Sequence, residues 1–87
     1  MMADKDLVMK YLKTAKGQVD GIIKMVENDK YCVDISHQLL AVEAMINKTN
    51  KEILMAHLKG CVNNAETQEE RNRKIDELSN LLMKVLR

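Results

Sequence analysis

Between Asp6 and Glu27 the apolar residues Val8, Leu12, Ala15, Val19, Ile22 and Val26 follow one another at alternating steps of four and three. That spacing lines one side of an α-helix with a heptad seam, whereas a strand exposes the same face every second residue. The stepping returns at Cys32, Ile35, Leu39, Val42, Ile46, Thr49 and Ile53. It predicts a second helix from about Tyr31 to Val62, spanning about 45 Å at 1.5 Å per residue. Helices of that length are uncommon in a compact globule, and a seam must be buried against another helix. The pattern therefore predicts an all-α bundle or coiled coil.

Asn28 and Asp29 separate the two helices. Gly17 and Gly21 interrupt the first, each at a cost of about 1 kcal/mol relative to Ala, which suggests close approach by another backbone. A second stripe on the long helix, Leu40, Ala44, Leu54, Leu58 and Val62, is wider than one short partner helix can cover. After Cys61, Asn63 and Asn64 suit a helix end, and Thr67 with Glu70 three residues later forms a capping-box pattern. Ile75, Leu78, Leu82 and Val85 then mark a third helix from about Gln68 to Leu86. Two long helices and a short C-terminal one, with no linker between them, make residues 1–87 a single domain.

A domain of 87 residues buries a modest share of its surface when it folds alone, so oligomerisation is expected. Hydrophobic residues are 46% of the chain, yet only two residues are aromatic, which leaves little bulk for a solitary core. Met25, Met45, Met55 and Met83 lie at helical spacings and read as core rather than as thioether ligands. The net charge of +1 announces no general affinity for nucleic acid, so a DNA-binding surface would have to be local. No segment approaches the roughly 18 apolar residues of a membrane span, and MMADKDLVMKYL carries charges throughout. A cytosolic location is expected, where thiols stay reduced. Cys32 and Cys61 then read as free thiols, metal ligands or redox sensors rather than a disulfide.

The segment HLKGC sets His57 and Cys61 one helical turn apart, on one face. Two soft donors cannot close a metal site alone, since zinc normally takes four ligands and Cu(I) two or three. Cys32 is the remaining candidate, but one straight helix holds it roughly 40 Å from the other two. An antiparallel pairing of two copies sets the start of one long helix against the end of the other and creates two equivalent sites. Two thiolates and an imidazole suit Cu(I) better than harder divalent ions. Zinc would need a further ligand, and a metal-free dithiol pair could sense oxidants or persulfide. Cys32 could equally be a small apolar filler of the seam. His37, five residues after Cys32, falls on another face and reads as a solvated or partner-facing imidazole.

The stretch KGQVDGIIKMVENDKYCVDISHQLLAVEAMINK, followed by HLKGCV, resembles the CsoR/RcnR/FrmR family of bacterial metal-sensing repressors, and within it the copper-responsive branch. The similarity covers nearly the whole chain. It implies an antiparallel four-helix-bundle dimer that pairs again into a tetramer, and a metal-free form that represses copper-export genes. It implies that Cys32 of one protomer, with His57 and Cys61 of the other, binds Cu(I). Tyr31 and Glu77 match positions that link metal occupancy to release of DNA. The absence of an N-terminal histidine or proline separates the chain from nickel- and formaldehyde-sensing relatives, and His57 separates it from persulfide sensors.

Lys13, Lys16, Gln18 and Lys48 match the family's polar and basic positions for contacting operator DNA without a helix-turn-helix. Tyr11 and Thr14 depart from the pattern, standing where relatives often carry Arg. Two other readings remain: a thiol- or persulfide-responsive repressor using Cys32 and Cys61, and a metal-buffering helical protein that never touches DNA. No paired carboxylates and no phosphate-cradling glycine loop point to an enzyme.

Overall fold

The computed structural model describes residues 1–85, apart from the side chains of residues 61–63. It contains three helices: α1, Lys5–Glu27; α2, Cys32–Asn64; and α3, Gln68–Val85. The expected Leu86 end of the third helix lies outside the described residues. The Asp4 carboxylate begins α1 by accepting from the amides of Asp6 and Leu7 at 3.0 and 3.3 Å, which satisfies two of the donors a helix start leaves open. At α3, Thr67 Oγ1 accepts from the Glu70 amide at 3.1 Å. The Glu70 carboxylate pairs forward with Lys74 Nζ at 3.0 Å. Hydrogen bonding and charge from Lys74 hold the Glu70 carboxyl below the ordinary carboxylate range. The small stabilisation that follows is present above that range and is lost as pH falls through the depressed value.

The turn after α1 follows from where the last carbonyls find donors. The Lys30 amide bonds to the Met25 carbonyl at 3.0 Å and the Asp29 amide to the Val26 carbonyl at 3.1 Å. This is a Schellman ending, whose next residue must be left-handed, and Asp29 has φ 49°. Glycine bears no Cβ penalty there. Asp29→Gly is therefore expected to stabilise each protomer by about 1 kcal/mol, raising Tm by about 4–8 °C in a thermal unfolding scan followed by circular dichroism.

Four residues, 28–31, fold α2 back along α1, and three, 65–67, fold α3 back along the far end of α2. Helices α1 and α3 each pack on α2 and not on one another. The result measures 57 × 27 × 12 Å. Twelve ångströms is about one helix diameter, so the three helices lie in a single layer. Its radius of gyration, 17.2 Å, exceeds the roughly 12 Å of a compact chain of this length. The accessible surface of 6688 Å² likewise exceeds the roughly 5,200 Å² of a compact 10.0 kDa monomer. Stable domains bury a core between at least two layers, and this protomer supplies one.

Burial along the seams shows which of their residues the single layer leaves uncovered. On α1, Val8, Ala15 and Ile22 are buried, while the intervening Leu12, Val19 and Val26 are 42–56% exposed. On α2, Thr49 is buried and Ile35, Val42 and Ile53 are half-buried, while Cys32, Leu39 and Ile46 are exposed. Half of each heptad seam thus closes the α1–α2 contact, and the other half faces outward. The buried Thr49 hydroxyl is satisfied by donating to the Met45 carbonyl at 2.8 Å.

Several expectations need correction at the level of the protomer. A Cβ at Gly17 or Gly21 would meet nothing within 4 Å, so neither glycine admits a neighbouring backbone within this chain. Met25 and Met45 are half-buried, but Met55 and Met83 are 46% and 72% exposed and are not core here. The short α3 buries Leu54 and half-covers Leu58, leaving Leu40 59% exposed, as its limited length dictates. His37 is exposed, as expected.

Candidate metal centre and nucleic-acid surface

Cys32 is the first residue of α2, exposed and not in a disulfide. His57 is exposed near the other end of the same helix. Position 61 belongs to the α2 backbone, and the Cys61 side chain lies outside the described residues. At 100° per residue, positions 57 and 61 fall within about 20° of position 32 around the helix axis. The three positions therefore share one line on α2, the line that also carries Leu39. Along the axis, the 25 residues from Cys32 to His57 span about 37 Å. Consistent with that separation, no three His, Cys, Asp or Glu side chains among the described residues converge within the protomer.

Tyr31 sits at the N-cap of α2, 68% exposed, and its side chain makes no capping hydrogen bond. Only its carbonyl serves the helix, accepting from the Ile35 amide at 3.1 Å. Its phenol is therefore not committed to starting the helix. Glu77 is exposed next to Leu78, the one buried residue of α3. In a layer of antiparallel neighbours, the right-handed sense of the helices brings position 77 to the same side of the layer as position 57. One side of the layer thus presents the apolar rows of α1 and α2, with Cys32 and Tyr31 at one end and His57 and Glu77 towards the other.

The basic candidates are dispersed. Lys48 Nζ stands 4.6 Å from the centroid of the Tyr11 ring, in cation–π range, on the opposite side of the layer from the Cys32 line. Beside it an open groove of about 480 Å³ is lined by Ala44, Asn47, Lys48, Lys51, Glu52 and Met55. Lys51 was not singled out from sequence, although its place three residues after Lys48 puts the two on neighbouring turns. Lys13 and Lys16 are exposed but lie roughly 160° and 140° around α1 from Tyr11, so the protomer does not gather them with Lys48. Gln18 is half-buried, and its Oε1 is buried without a hydrogen-bond partner.

A family model described as metal-sensitive transcriptional repressor matches residues 4–84. The copper-sensing transcriptional repressor CsoR of Mycobacterium ulcerans (strain Agy99) is 42% identical over 74 residues, covering 85% of this chain and 63% of that protein. The protein of the same name from Bacillus subtilis (strain 168) is 40% identical over 81 residues, covering 93% and 80%. The chain spans just under two thirds of the length of the mycobacterial relatives it matches. Among solved structures, the copper-sensing repressor CsoR with Cu(I) from Geobacillus thermodenitrificans NG80-2 superposes with a TM-score of 0.80 at 32% identity, over 94% of this chain and 85% of that one. The nickel-responsive transcriptional regulator InrS shares the fold, with a TM-score of 0.79 at 20% identity over 98% of this chain and 96% of that one. No described helix is long and apolar enough to cross a membrane.

Proposed function

The chain belongs to the metal-sensitive transcriptional repressor family, and we propose that it is a cytosolic, Cu(I)-responsive repressor that holds operator DNA when metal-free and leaves it when copper binds. The observation that carries this reading is the line on α2: Cys32 at one end, His57 and position 61 at the other, on an apolar face that lacks its second layer. A second copy laid antiparallel on that face supplies the layer and brings each Cys32 to the other protomer's His57 and Cys61. Two such dimers pair into the tetramer the family resemblance implies. The donor set fits the metal, because two thiolates and one imidazole are soft and few. The similarity to proteins described as copper-sensing points the same way.

Bound Cu(I) would supply strong, low-coordinate bonds joining the start of one α2 to the end of its partner. The chain's own residues then decide what those bonds change. With copper on one imidazole nitrogen of His57, Glu77 would accept from the other, fixing the ring and carrying its position into α3. Tyr31, with its phenol uncommitted to the helix start, reports on the position of Cys32 beside it. Lys48 and Lys51 meet phosphates on the other side of the layer, with Lys13, Lys16 and Gln18 contributing where the assembly brings them to the duplex. Such contacts position a protein on DNA, and neutralising several phosphates gives a steep salt dependence.

The test is fluorescence anisotropy of the reduced protein on the DNA upstream of its own gene, titrated anaerobically with Cu(I). Release at one copper per protomer is expected. By linkage, DNA must weaken copper binding by the same factor. Copper that binds at that ratio while leaving DNA affinity unchanged would sink the mechanism. Release by a persulfide donor, undiminished in His57→Ala, would move the function to sulfur sensing.

The DNA surface carries its own expectation. Tyr11 holds the Lys48 ammonium with an interaction worth roughly 0.5–1 kcal/mol at an exposed site. Tyr11→Leu should therefore weaken DNA binding about two- to fivefold, while Tyr11→Phe, which keeps the ring, should not. Lys48→Ala should also lower the slope of log affinity against log salt by about one. These are read from anisotropy titrations at several salt concentrations, and equal loss in the Leu and Phe variants would assign the effect to the phenol instead.

A further inference from the structure

The segment before α1 is held in place. Ala3 is buried at 8% exposure, and Asp4 caps the helix through two amides. Between them they direct Met2 across the layer onto the far end of α2. There the Met2 thioether lies against the helix backbone at Gly60: a Cβ at that position would overlap Sδ and stand 2.9 Å from the methyl Cε and 3.3 Å from Cγ. Gly60 is the one glycine of the chain whose missing side chain is occupied by a neighbour. It lies between the candidate ligands in sequence, next to Cys61 and three residues after His57, a spacing that sets Cβ positions roughly 5–6 Å apart on a helix. The sulfur thus rests on the stretch of α2 that carries positions 57 and 61, on an unbranched side chain with three rotatable bonds.

We propose that Met2 supplies a thioether as an additional soft ligand to the metal held by Cys32, His57 and Cys61, and that Gly60 is glycine to admit it. The inference rests on the copper reading above. A neutral thioether adds no charge and no proton, so its attraction to Cu(I) is one of softness alone, and it discriminates against zinc and other harder ions. As a weak fourth donor it would also cover the side of the site nearest α1.

Three measurements on the reduced full-length protein test this. With methyl-¹³C methionine, the Met2 methyl resonance should shift on addition of Cu(I), and Met2→Leu assigns it. X-ray absorption should show less sulfur scattering in Met2→Leu than in wild type, and competition against a Cu(I) chelator should show an affinity about tenfold lower. Gly60→Ala should reproduce both losses because its Cβ displaces the thioether, although Ala favours the helix by about 1 kcal/mol. Weaker metal binding in a more heat-stable protein separates a ligand effect from a folding defect. An unmoved Met2 resonance, with sulfur scattering and affinity unchanged in both variants, would make Met2 a packing residue only. A wild type indifferent to Cys32→Ser and His57→Ala would overturn the copper reading itself, and the Met2 proposal with it.

Discussion

Cys32→Ser protein is expected to bind Cu(I) at least about a hundredfold more weakly than wild type, since loss of a direct ligand should exceed the 10–100-fold cost of losing its supporting partners. The same loss is expected in a variant carrying both His57→Ala and Cys61→Ser. Mixed dimers of the two variants are the informative species. If the donors belong to different protomers, the mixed dimer contains one site with both halves destroyed and one with both halves intact. It should bind a single copper with wild-type affinity. If all three donors came from one chain, neither protomer of the mixed dimer would hold a complete set, and no tight binding would return. Co-expression with two affinity tags, tandem purification and a competitive Cu(I) titration read the difference directly. The expectation of one restored site follows from the roughly 37 Å between Cys32 and His57 along an unbroken 33-residue helix.

Leu39→Glu is expected to dissociate the protein and to lower its helicity at micromolar concentration. Leu39 is 53% exposed in the protomer, between Cys32 and Ile46 on the outward row of α2. Covering a leucine by a second copy contributes about 1.5–3 kcal/mol, and in a twofold pair the loss occurs twice. The buried carboxylate adds a desolvation cost. Against a typical stability of 5–15 kcal/mol, a loss of about 3–6 kcal/mol leaves little for a single layer to stand on. Sedimentation equilibrium and far-ultraviolet circular dichroism measure the two effects. Met83→Glu is the control, because Met83 is 72% exposed on α3 and away from these rows. A Leu39→Glu protein that sediments as wild type would place the partner on another face and remove the basis of the shared site.

Both expectations rest on features of unequal legibility. The helices were readable because a four–three apolar step is incompatible with a strand, and the observed bounds differ from the expected ones by one or two residues. Lys5 joins α1 because Asp4 provides the cap. Asn63 and Asn64 remain in α2 because the chain becomes extended only at Ala65. At the Thr67 capping pattern the hydroxyl bonds as expected, and the Glu70 carboxylate in addition pairs with Lys74 one turn along the helix. The candidate donors were legible too, as HLKGC and an upstream cysteine, because ligand chemistry depends on residue type and helical spacing. The Tyr11–Lys48 contact and the seat of Met2 on Gly60 were not legible. Each joins residues far apart in sequence, and no local spacing encodes them.

By itself, the sequence determines three helices, two of them seamed, and places Cys32, His57 and Cys61, the candidate soft donors, on one line of the longest. These depend on periodicity and side-chain chemistry, which are local properties of the chain. Only the tertiary structure decides which half of each seam is spent inside the protomer. Val8, Ala15 and Ile22 close against α2, whereas Leu12, Val19, Leu39 and Ile46 remain outside with Cys32. A heptad repeat is the same for a residue facing a neighbouring helix of its own chain and one facing a second chain. The layer's 12 Å thickness breaks that equivalence, because helices laid side by side can bury only the edges at which they touch.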